Sequence, residues 1–114
     1  MSRDNAHVED IRLAAARRSS YVEGMARADF LADEKTKAAV AREITIIGEA
    51  AARTLEAFRN DHQEIPWDRL IRLRHLYIHV YDRIRYEEVW RTAKRLIPSL
   101  ESAIIALLPT AEEE

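Results

Sequence analysis

Residues 33–59 read DEKTKAAVAREITIIGEAAARTLEAFR, and the spacing of their apolar side chains decides the fold. Val40, Ile44, Ile47, Ala51, Leu55 and Phe58 recur at intervals of three and four. That is the period of an amphipathic helix, since a strand would need alternation. Asp33 carries the short carboxylate that suits a helix N-cap, and Asn60 fits the far end. The pattern predicts one helix from about Asp33 to Arg59.

The same period extends outward. Val8, Ile11, Ala15 and Val22 stripe a helix over about Asn5 to Tyr21, with Gly24 as its stop. A short connecting helix around Arg27 to Asp33 is expected to bury Phe30 and Leu31. Pro66 suits the first position of a third helix, where a missing N–H is harmless. Trp67, Leu70, Leu73, Leu76, Tyr77 and Val80 carry that helix to about Tyr81–Arg83. A fourth runs from about Tyr86 to Leu107 on Val89, Ala93, Leu96, Leu100, Ile104 and Leu107, with a bend expected at Pro98. The reading is all-α: a single domain over 1–114, an up-and-down bundle of four main helices plus the short connector. Second apolar positions such as Ile46 and Trp90 predict a homodimer.

Composition agrees. The 114 residues include 2 glycines and 3 prolines, too few for the turns of an all-β domain. There is no cysteine, which excludes disulfides, thiolate metal sites and cysteine nucleophiles. No apolar run resembles a signal peptide or approaches the ~20 residues of a membrane span, so a cytoplasmic protein without membrane contact is expected. The net charge is −2, but it is unevenly spread. Between Arg69 and Arg95 eight basic side chains face three acidic ones, a net +5, which leaves −7 for the rest. Such a segment attracts phosphate, or it is a solvated helix face with internal ion pairs.

No phosphate loop, zinc-protease motif or Ser-His-Asp arrangement is present. The stretch with chemistry is Arg72-Leu73-Arg74-His75-Leu76-Tyr77-Ile78-His79-Val80-Tyr81. His75 and His79 have the spacing of a metal pair, but no third ligand lies nearby, so no metal and no cofactor are expected. His7 and His62 read as surface residues.

Asp10-Ile11, the run from Arg42 ending in Ile46-Ile47-Gly48-Glu49-Ala50, Glu64-Ile65-Pro66-Trp67, Arg74-x4-His79-x-Tyr81 and Val89-Trp90 fall in order along nearly the whole chain. Together they resemble the HepT-like branch of the HEPN superfamily. The resemblance implies an all-helical dimer that acts as a metal-independent ribonuclease toxin. It implies a partner too, a minimal nucleotidyltransferase antitoxin of the MntA type, which silences the toxin by transferring AMP to Tyr81.

The residue types suit RNA cleavage. A neutral histidine titrates near working pH and can take the proton of the 2′-hydroxyl as it attacks the adjacent phosphate. An arginine fork stabilises the charge gathering on the phosphoryl oxygens. His79 is therefore assigned as general acid/base and Arg74 as phosphate clamp. His75, Arg72 and Glu49 are candidates for binding or orienting substrate; Glu49 either pairs with Arg74 or is an ordinary surface charge. On an unbroken helix Arg74 and His79 would stand about 140° apart. Either the helix breaks near His79 or the pair is assembled across two subunits, and the composite site is favoured. Arg85, Asp82 and Arg83 depart from the family pattern; Arg85 replaces a capping aspartate and sets positive charge at a helix start. The alternative function is a catalytically silent helical module that binds a nucleotidyltransferase or a nucleotide.

Overall fold

A computed structural model describes residues 3–75, 77–78 and 83–107. The first helix, α1 (Arg3–Val22), ends at Gly24, whose φ of +76° lies in the left-handed region that glycine adopts without strain. The connector is α2 (Arg27–Ala32), and it buries Phe30 completely. Asp33 then caps α3 (Glu34–Arg53), accepting from the Thr36 backbone N–H at 3.0 Å and the Thr36 hydroxyl at 2.9 Å. Those bonds hold the Asp33 carboxyl below the usual carboxylate range.

The helix expected to reach Arg59 stops at Arg53. Thr54 and Leu55 are extended, and a separate α4 (Glu56–Asp61) follows. The break has a local cause. The Thr54 hydroxyl donates to the Ala51 carbonyl at 2.7 Å, and the Leu55 N–H donates to Asp4 Oδ1 at 3.0 Å. The Arg59 guanidinium donates to the freed Thr54 carbonyl. Side chains thus take over the backbone groups that a continuous helix would pair. Leu55, placed by its spacing in the core stripe, is 52% exposed as a result.

The third helix also departs from its expected course. Pro66 is the N-cap, and α5 (Trp67–Arg72) passes into a 3-10 turn at Leu73–His75. Instead of continuing, the chain forms two minimal strands, β1 (Tyr77–Ile78) and β2 (Arg83–Ile84). They pair antiparallel with Tyr77 opposite Ile84 and Ile78 opposite Arg83. Tyr77, Ile78, Val80 and Tyr81 are aromatic or β-branched, types that favour extended chain over helix. Leu76, Val80 and Asp82 lie outside the described residues.

The last helix spans the expected range as α6 (Tyr86–Arg91), a π-helical turn (Thr92–Leu96) and α7 (Ile97–Leu107). The expected disturbance at Pro98 takes the form of that turn: the Ile97 N–H reaches back to the Thr92 carbonyl, one residue further than in an α-helix. Arg85 supplies no side-chain cap to α6, as its departure from the family pattern implied. The buried apolar residues form one cluster with α3 at its centre, touching α1, α2, α5 and α6. Arg18 is buried with them; its guanidinium meets Glu101 at 2.6 Å and so ties α1 to α7. His7 and His62 are half-buried instead of lying free on the surface. Among the described residues the regular structure is helical apart from the two-residue ladder, and no helix is long and apolar enough to cross a membrane.

Candidate active site

Gly48 fixes how the site is built. A Cβ there would lie 2.9 Å from the Leu70 carbonyl oxygen and 3.0 Å from both the Arg74 backbone N and Arg74 Cγ. Only glycine allows α3 to approach the end of α5 this closely. The sequence read this residue as part of a signature; the structure gives it a job, which is to seat the Arg74 backbone against α3.

Arg74 stands in the 3-10 turn with its side chain exposed. Its Nε donates to the Ile71 carbonyl at 3.1 Å. That bond orients the guanidinium and leaves both Nη groups available to an anion. Glu49, next to Gly48, is exposed and makes no ion pair with Arg74, so the positioning comes from the backbone contact at Gly48. Arg72 and His75 are exposed on the same short segment, at the end of α5 and the end of the 3-10 turn. The structure therefore brings Arg72, Arg74 and His75 to one helix terminus. His79 and Tyr81 fall in 79–82, outside the described residues. The helix ends at His75, four residues before His79, so the 140° separation of an unbroken helix does not apply.

Trp67 anchors the start of α5. It is buried, donates from its indole N–H to the His62 carbonyl at 2.9 Å, and meets Phe58 edge-on at 6.0 Å. Trp90 packs on Phe30 with ring centroids 5.2 Å apart, and the Lys94 ammonium sits 4.8 Å from its ring centroid. Both tryptophans are thus engaged in packing. No group of acidic or histidine side chains capable of holding a metal occurs among the described residues.

The family described as "Ribonuclease HepT-like" matches residues 11–107, and the chain belongs to the HepT-like ribonuclease family. The match takes in every helix just described except the first eight residues of α1. The chain is 38% identical over 95 residues to "Probable ribonuclease HepT" of Thermococcus cleftensis, covering 83% of this chain and 86% of that protein. It is 33% identical over 87 residues, 76% of this chain and 78% of the relative, to a protein of Caldanaerobacter subterraneus subsp. tengcongensis named as a candidate RNase. A candidate RNase of Methanocaldococcus jannaschii is 36% identical over 86 residues, 75% of this chain and 71% of the relative. No solved structure matches the chain.

Proposed function

We propose that this protein is a metal-independent endoribonuclease and the toxin of a toxin–antitoxin pair. Membership of a ribonuclease family sets the reaction class. The observation that carries the mechanism is Arg74: an exposed, oriented guanidinium without a carboxylate partner among the described residues, five residues before a histidine.

In the proposed reaction His79 accepts the 2′-hydroxyl proton. The 2′-oxygen attacks the adjacent phosphorus, the bond from phosphorus to the 5′-oxygen breaks, and the leaving oxygen takes a proton from an imidazolium. The products are a 2′,3′-cyclic phosphate and a 5′-hydroxyl. Arg74 clamps the non-bridging oxygens where negative charge accumulates. Arg72 and His75 hold the strand at the same helix end. The working site is completed in a homodimer, where Arg74 of one copy and His79 of the other share a cleft. A minimal nucleotidyltransferase silences the enzyme by transferring AMP to the Tyr81 phenol, which places bulk and negative charge on the path of RNA.

The test is incubation of purified protein with total RNA in EDTA, followed by end-group analysis. Cyclic phosphate ends with the wild type and none with His79→Ala are expected. Undegraded RNA with well-folded wild type would overturn the reading in favour of a silent binding module.

A further inference from the structure

A cleft of about 330 Å³ opens between α5 and the last helix, lined by Arg69, Glu88, Arg91, Thr92, Arg95 and Leu96. Its composition is unusual. Three exposed guanidiniums converge, and among the described residues none has a carboxylate within ion-pair distance. The cleft's own carboxylate, Glu88, is engaged by Arg85 at 3.7 Å. Glu88 is shared with Arg85 and Glu87 offsets Arg91 in part, so positive charge remains in excess, and an incoming anion relieves the repulsion. Arginine is also the cation whose fork matches phosphate oxygens in two bonds. The floor is Leu96, with the half-buried Thr92 beside it. These two are the last and first residues of the π-helical turn, a feature that often marks functional sites.

We infer that this cleft is a second phosphate subsite, which grips the backbone of single-stranded RNA next to the linkage being cut. The inference rests on the ribonuclease reading and extends it. Arg69 lies about 8 Å of helix rise before Arg74. The exposed Arg72 stands between them on the same segment. Five residues apart, Arg69 and Arg74 do not share a helix face, so a strand held at Arg74 winds round the end of α5 past Arg72 to set a neighbouring phosphate in the arginine cleft. The contact is with backbone, so it adds affinity without sequence preference.

The double variant Arg91→Gln/Arg95→Gln tests this, with circular dichroism confirming its fold and Arg95→Glu as a second variant. Cleavage of a ribodinucleotide, too short to span both sites, is expected within twofold of wild type. For a 12-nucleotide RNA, KM is expected to rise about tenfold, and the slope of log affinity against log salt to fall by about 1.4. Unchanged KM for the 12-mer, or equal damage to the dinucleotide, would overturn the subsite. Direct binding of the 12-mer separates the two readings. If wild type binds without cleaving and the variant loses binding, the nuclease reading falls and the cleft stands. Full displacement of the 12-mer by stoichiometric ATP would reassign the cleft to a free nucleotide. An equal loss of poly-glutamate binding would reassign it to an acidic protein surface. Either result overturns the inference.

Discussion

At the scale of single residues, the fold and the candidate chemistry meet at Gly48. Its neighbours across the helix contact are two backbone atoms and the root of the Arg74 side chain, all within 3.0 Å of where a Cβ would stand. Backbone cannot swing aside as a flexible side chain can, so Gly48→Ala forces α3 and the end of α5 apart. The expected cost is about 1–3 kcal/mol, read as a lower midpoint of denaturant unfolding. Arg74 moves with its backbone, and the proposed cleavage rate is expected to fall about tenfold or more while the protein stays folded. The neighbouring Glu49→Ala is the control. Glu49 is exposed and unpaired with Arg74, and its loss is expected to shift stability by about 0.5 kcal/mol or less. A Gly48→Ala protein indistinguishable from wild type in both measurements would remove the positioning role.

At the scale of elements, periodicity found the helices, and chemistry that periodicity does not encode decided where they break. The apolar stripe placed the long helix correctly from Asp33 to Arg53, then ran on through Thr54 because spacing is blind to a hydroxyl that captures the Ala51 carbonyl. Likewise Leu76, Tyr77 and Val80 kept helical spacing beyond His75, where the β-favouring run makes the chain pair as strands. Pro98 did announce a disturbance, but its form was not legible. The π turn admits one extra residue, so Leu96 and Ile97 are both buried, whereas the stripe held Leu96 alone. Ile97 is fully buried, and Ile97→Ala is expected to cost about 3 kcal/mol, as much as Ile104→Ala. A cost near zero, measured by chemical unfolding, would show that the turn relaxes and returns Ile97 to solvent. The bridge between the first and last helices was also invisible from sequence, because its partners lie 83 residues apart. Glu101 Oε1 accepts from Arg18 and from the Ser19 hydroxyl, and Arg18 Nε is already buried without a partner among the described residues. Glu101→Ala would leave the Arg18 charge uncompensated in the core, lowering stability by about 2 kcal/mol in the same unfolding assay.

At the scale of the whole molecule, the shape bears on the proposed dimer. The radius of gyration is 14.5 Å, against about 13 Å for a compact chain of this length. The extents of 44 × 32 × 19 Å describe a slab about two helices thick. Among the described residues such a slab is too thin for one chain to enclose a strand of RNA, and Arg74 lies exposed at its surface. Apart from Glu49, the candidate residues were readable because they cluster within ten positions of sequence; their assembly was not, since it depends on where the helix ends and, in the proposed dimer, on the second copy. A mixed dimer separates the arrangements. Arg74→Ala and His79→Ala homodimers are each expected to be inactive. Unfolded and refolded together, they form half heterodimers. If each site takes Arg74 from one copy and His79 from the other, every heterodimer keeps one intact site of two, and activity returns to about a quarter of wild type. If both residues act within one protomer, every site in the mixture lacks one of them and no activity returns. Recovery that rises and falls with the mixing ratio, with its maximum at equal amounts, is the signature expected of the shared cleft.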